Sequence, residues 1–376
     1  MSRPIQLTPN EDELRLPASP YTTYKAGAMK RWLNIDALRG LAVLLMIVQH
    51  VTYWLCGLPS GNGLVRTTGA MGGLAAPIFV TLAGAGATLT AERHTRCDRL
   101  LMIRGVMVIG FGFLLNVLTP HWFSPQSWYV LHMIGTALVM APLLRRATSP
   151  VLLGAMVVVI VATILIQTGL ETPPKLYNRH MAVPTKPGGI FRFALAEGFF
   201  PIFPWIAFFM AGMLAGRWLL AGRPARLWQL GAGLLAALAI LLGIYATGWQ
   251  AVRTITWIRF FKWFPSFYPA LTPITLFLIA AALLLLYAFV SLNKSLSLCP
   301  SNALVCLGRA SLTILIVHVA VIRESAVYFQ FWRRLSLTGT VVGTATILIT
   351  FTLAAMFWRK VNFKYGAEWL LRKVAG

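Results

Sequence analysis

Ten runs of mostly apolar residues follow one another along this chain, near 35–56, 70–91, 101–119, 127–144, 151–170, 199–216, 228–248, 269–291, 303–322 and 338–358. A helix rising 1.5 Å per residue needs about 20 such residues to cross the hydrocarbon core of a bilayer. Ten of them predict an all-α integral membrane protein, a bundle of about ten transmembrane helices. Composition agrees, because 58% of the 376 residues are hydrophobic and 11% are charged, against about 25% charged in a soluble domain. The net charge of +23 would suggest nucleic acid in a soluble protein. Here the basic residues fall between apolar runs, where anionic lipid headgroups account for them, and no nucleic-acid partner is expected.

Lysine and arginine set the orientation. The 2–3, 4–5 and 6–7 loops carry Arg93, Arg96 and Arg99, then Arg145 and Arg146, then Arg217, Arg223 and Arg226, whereas the 1–2 and 3–4 loops carry only Arg66. This predicts cytosolic N- and C-termini. Residues 1–30, with Glu11, Asp12, Glu13 and several prolines, read as a disordered cytosolic arm and not as a cleavable signal. Residues 31–358 form the membrane domain, and 359–376 a basic amphipathic cytosolic tail. The cysteines Cys56, Cys97, Cys299 and Cys306 lack metal-ligand spacing, so neither a metal site nor a disulfide framework is expected.

The first run, RWLNIDALRGLAVLLMIVQHVTYWLC, holds Asp36, Arg39 and His50. Arg39 and His50 project from nearly the same face, about 16 Å apart along the axis. Ionisable groups at mid-membrane cost about 2.5 kcal/mol or more each and usually face a bundle interior or a wet cavity. A plainer reading stands beside this one: Asp36 and Arg39 form an i, i+3 ion pair with Arg39 reaching the headgroups, and His50 is a neutral core histidine. Arg104 lies in the third run on the same side as Arg39. Two arginines on one inward-opening cavity suit a phosphate-bearing ligand, with Asp36 beside them; snorkelling is the alternative for Arg104.

His132 in the fourth run and His318 in the ninth reach about the depth of His50, toward the outer face. Three histidines at one level suggest a shared wet site able to move a proton, although depth alone does not make them face each other. Glu197 and Glu324 stand at the outer mouth as acidic candidates. The 171–198 loop is basic and proline-rich, with Lys175, Arg179, His180, Lys186 and Arg192, and reads as a solvated lid. The segment TITWIRFFKWFPSFYP reads as interfacial, with Arg259 and Lys262 toward headgroups. Gly84, Ala85, Gly86 and Ala87 permit close helix contact, and the glycines of 57–73 let the chain fold back into the bundle.

Several segments, taken in order, resemble the transmembrane acyltransferase superfamily, in particular the heparan-alpha-glucosaminide N-acetyltransferase and YeiB-like bacterial proteins. They are R-x-x-x-I-D-A-L-R-G-L-A…H, A-P-I-F-V-T-L-A-G, W-Y-V-L-H-M-I-G, F-F-P-I-F-P-W-I-A-F-F-M-A-G-M-L-A-G-R, F-K-W-F-P-S, L-G-R-A-S-L-T-I-L-I-V-H and Y-G-A-E-W-L-L-R. The resemblance implies a membrane acetyltransferase of a bacterial inner membrane, taking acetyl-CoA from the cytosol and modifying a carbohydrate or small-amine acceptor outside. By position, Arg39 and His50 resemble the Arg and His required in the first helix of the superfamily's O-acyltransferases. The human-type enzymes place their essential histidine in the loop after the first span, and residues 57–73 contain none. The catalytic role therefore falls to His50, with His132 and His318 behind it and Glu197 as a carboxylate partner. The competing expectation is a multi-pass transporter or flippase for a small anionic or lipid-linked substrate, against which stand the motif series and the lack of a sequence repeat. Homo-oligomerisation is left open.

Overall fold

A computed structural model describes residues 31–59, 62–173, 175–176, 181, 186–263, 267–292 and 298–375. The expected arm at 1–30, together with Arg179 and His180, lies outside the described residues. Contacts divide the chain into Met1–Trp32 and Leu33–Gly376, and the description that follows concerns the second unit.

The described residues form helices and no strands. Among the described residues, nine helical segments are long and apolar enough to cross a membrane. The protein is an all-α multi-pass membrane protein. In chain order, leaving aside short turns of three to six residues, the helices are α1 (Leu33–Leu55), α2 (Gly63–Gly72), α3 (Ala75–Arg93), α4 (Cys97–Leu118), α5 (Val130–Leu144), α6 (Ser149–Gly169), α7 (Ile202–Leu220), α8 (Ala225–Ala246), α9 (Ile255–Phe261), α10 (Thr272–Ser291), α11 (Ala303–Arg309), α12 (Ser311–Val317), α13 (Leu337–Trp358) and α14 (Ala367–Ala375). The expected span at 127–144 is realised as α5, whose 15 residues rise only about 22 Å. The glycine-rich 57–73 stretch does turn back into the bundle, as α2, opened by the Asn62 side chain accepting from Leu64 N at 2.9 Å.

Two crossings without side chains between them set the core. A Cβ on Gly308 of α11 would lie 1.8 Å from the Asp36 carbonyl oxygen, and one on Gly40 would lie 1.9 Å from that of Leu304. Gly84 of α3 meets Phe209 O at 2.0 Å and Gly212 of α7 meets Thr81 O at 1.9 Å in the same sense. Small residues let backbones touch where apolar burial offers little drive between helices in lipid. Gly84 makes such a contact; an added Cβ on Gly86 meets nothing within 4 Å.

The ninth expected span is not one helix. α11 stops at Arg309, Ala310 has φ −106° and ψ 11°, and α12 starts afresh at Ser311. In an unbroken helix the N–H groups of Leu312 and Thr313 would bond four residues back. Instead the Glu368 carboxylate of α14 takes them, at 2.6 and 3.1 Å, and also accepts from Thr313 Oγ1 at 2.5 Å. The tail helix thus replaces the missing turn. Beyond α12 the chain widens into a π-turn at His318–Arg323, a feature that often re-aims a side chain at a working site.

Arg259 corrects an expectation. It is 4% exposed and turned inward, donating to Gln167 Oε1 at 3.2 Å and to the Thr172 carbonyl. α9 packs on α6, and the amphipathic register that makes the segment look interfacial directs its guanidinium to acceptors at the end of α6.

Candidate active site

His50 and His318 meet. Nδ1 of His50 lies 3.0 Å from Nε2 of His318, and His318 Nδ1 lies 2.9 Å from the Ile314 carbonyl oxygen. A carbonyl only accepts, so His318 Nδ1 carries the proton. In the neutral ring its Nε2 must then accept, and His50 Nδ1–H must donate. This leaves His50 Nε2 as a lone pair on the side away from His318. The two rings stack with centroids 5.3 Å apart, Trp54 stacks on His50 at 5.1 Å, and Trp122 stands edge-on to His50 at 5.8 Å. His318 is fully buried, while His50 keeps partial exposure.

That exposure opens onto two cavities. One, of about 140 Å³, lies one turn down α1 against Met46, Phe79, Leu115 and Leu315. The other, of about 210 Å³, lies one turn up, against Tyr53, Trp54, Val65 and Gly69. Gln49, His50, Trp122, Phe199 and Tyr268 line both. The histidine therefore stands in a ring between a lower, largely apolar chamber and an upper vestibule. Except for His50, none of this ring carried a sequence signal beyond being aromatic or amide residues near a span end.

The other expected residues are placed elsewhere. His132 is fully buried with its ring edge-on to Phe113 at 4.6 Å, and its Nδ1 accepts from Tyr129 N at 3.3 Å; it lines neither chamber. Glu197 pairs with Arg192 at 2.5 Å and accepts from Thr172 Oγ1 at 2.8 Å. Burial pushes the Glu197 carboxyl up, but bonds from Arg192 and Thr172 and the charges of Arg192 and Lys186 outweigh it and hold it below the usual range. Glu324 bridges His121 at 2.6 Å and Arg323 at 2.5 Å, a pairing with an unexpected fourth histidine, one residue from Trp122. Asp36 and Arg39 form the i, i+3 ion pair at 3.1 Å. The Nε of Arg104 is buried and makes no hydrogen bond, and Arg104 lines neither chamber.

The helical membrane bundle thus holds a hydrogen-bonded histidine pair, one member of which, His50, lines both chambers. The family model for the heparan-alpha-glucosaminide N-acetyltransferase catalytic domain matches residues 31–247, more than half of the chain. No curated protein matches it. The chain belongs to the heparan-alpha-glucosaminide N-acetyltransferase catalytic family, which makes it a membrane acetyltransferase-like protein.

Proposed function

We propose that the protein moves an acetyl group from acetyl-CoA, entering on the lower side, to a hydroxyl or amine of a sugar acceptor in the upper vestibule, with His50 as general base. The observation that carries this reading is His50 itself, set in the ring shared by both chambers and tied at Nδ1 to His318. The lower chamber takes the thioester end of the donor and the vestibule takes the acceptor. His50 Nε2 accepts the acceptor proton as oxygen or nitrogen attacks the thioester carbonyl. The C–S bond breaks as the new C–O or C–N bond forms, and the proton passes from Nε2 to the departing thiolate. Positive charge growing on His50 is shared through Nδ1–H with His318, which the Ile314 carbonyl holds in the accepting tautomer. A membrane with cytosolic termini, as the arginine-bearing loops suggest for a bacterial inner membrane, would put the donor in the cytosol and the acceptor outside.

The test is thiol release from acetyl-CoA by purified protein in the presence of a glucosamine acceptor, followed by mass spectrometry of the protein. Wild type should release CoA, and His50→Ala should not while keeping its melting temperature. Retained release by His50→Ala would overturn the reading. An adduct of about 42 Da on His50 would replace direct transfer by an acyl-enzyme route. Intact acetyl-CoA under all conditions would favour a transporter.

A further inference from the structure

At the end of the bundle opposite the vestibule, a cleft of about 370 Å³ runs between the start of α4 and the C-terminal helix α14. Its charged walls are all basic. Arg96 and Arg99 line it from one side and Lys373 from the other, with His94 at the turn between α3 and α4. Arg104 follows the lining residue Ile103 and Arg372 precedes the lining residue Lys373 in the chain. The neighbouring carboxylate does not neutralise the group, because Asp98 is held by Arg145 at 2.5 and 3.1 Å and reached by Arg146 at 3.5 Å. Like charges gathered round a concavity raise the local potential and attract an anion, and guanidinium groups match phosphate oxygens in geometry as well as charge.

We propose that this cleft binds a phosphate-bearing ligand. Two sources share that chemistry, the nucleotide end of CoA and an anionic lipid headgroup. The first rests on the donor reading above, and the geometry agrees with it. Ile103 lines the cleft and Leu115 lines the lower chamber, both on α4, twelve residues and thus about 18 Å apart. An extended pantetheine arm covers such a reach. Arg39 does not line the cleft, and its pairing with Asp36 sets it apart from this group.

The cleft also touches the catalytic segment through one helix. α14 supplies Lys373 to the wall, and from its first turn Glu368 holds the N–H groups that open α12. Five residues after Thr313, at His318, begins the turn that carries that histidine. A ligand that fixes α14 therefore bears on the same segment that positions the histidine pair.

The experiment measures binding without transfer. Wild type, Arg96→Ala/Lys373→Ala and a control, Arg66→Ala on exposed α2, are placed in nanodiscs of phosphatidylcholine. CoA binding is followed by calorimetry with pyrophosphate as competitor. Retention of phosphatidylglycerol is followed separately by native mass spectrometry. Roughly tenfold or greater weakening of CoA in the double variant alone, with competition by pyrophosphate, supports the site with the nucleotide as its ligand. Unchanged CoA binding with loss of retained phosphatidylglycerol supports it with a lipid headgroup. Both unchanged relative to Arg66→Ala would overturn it. Both readouts are taken without turnover, so loss of transfer in His50→Ala and loss of binding in Arg96→Ala/Lys373→Ala are separate results, and failure of the transfer mechanism is told apart from failure of the cleft.

Discussion

Nε2 of His318 accepts from Nδ1 of His50 across 3.0 Å, although the two residues come from the first span and from the broken span near the C-terminal end. His318 lines neither chamber, so in the proposed mechanism it acts through His50, as a positioning residue. His318→Ala should lower kcat by about 10–100-fold, the usual cost of losing a group that orients another, while KM for acetyl-CoA stays near wild type. His318→Gln, whose amide oxygen can accept from His50 Nδ1–H, should recover part of the loss. Steady-state thiol release checks both. An unchanged kcat in His318→Ala would remove His318 from the mechanism.

The glycine crossings give a stability prediction with a built-in control. Gly308 and Gly212 face backbone oxygens at 1.8 and 1.9 Å from an added Cβ, and backbone cannot swing aside as a side-chain tip can. Gly308→Ala and Gly212→Ala should each cost at least about 1–3 kcal/mol, the range for overpacking, with a matching fall in melting temperature in detergent. Gly86→Ala, with nothing within 4 Å, should stay within about 0.5 kcal/mol of wild type. Equal melting temperatures for all three would mean that the helices are not in backbone contact.

Much of this architecture is legible in sequence because lipid permits few solutions. Apolar runs of bilayer length locate the helices, and a histidine inside such a run is costly enough to be a candidate; the structure brings two such candidates, His50 and His318, within 3.0 Å. Depth along a span can be counted, whereas azimuth around it depends on neighbours, so His132 shares their level but turns to Phe113 and Tyr129. Arg259 looks interfacial for a related reason, since its partners Gln167 and Thr172 stand far away in sequence. The break at Ala310 carries no proline or glycine of its own. The N–H groups just beyond it are taken by Glu368, 58 residues after Ala310, and no local pattern announces it.

The Arg192–Glu197–Thr172 cluster at the vestibule end should respond to acid. Because the native carboxyl lies below its ordinary range, its contribution is complete above the unfolded value, about 4.3, and is lost as pH falls through the native one. Hydrogen exchange of residues 186–198 should stay constant from pH 7 to 5 after correction for intrinsic rates. It should then rise on further acidification. Glu197→Gln, which keeps the shape and removes the charge, should exchange faster at pH 7 and lack the acid step. A segment that loosens between pH 7 and 5 would mean that another group governs it.

Glu368 offers the sharpest separation of local structure from chemistry. Its carboxylate does for α12 what a capping side chain does at a free helix end, taking N–H groups that have no partner behind them. Glu368→Ala should therefore destabilise by about 0.5–2 kcal/mol and, by loosening the approach to Ile314 and His318, lower kcat several-fold. Glu368→Gln retains an acceptor oxygen and should fall between the two. The effect should fall on turnover and leave CoA affinity near wild type, because Glu368 lines neither the basic cleft nor either chamber. A Glu368→Ala protein with reduced stability and undiminished kcat would show that the tail braces the fold without bearing on the histidine pair.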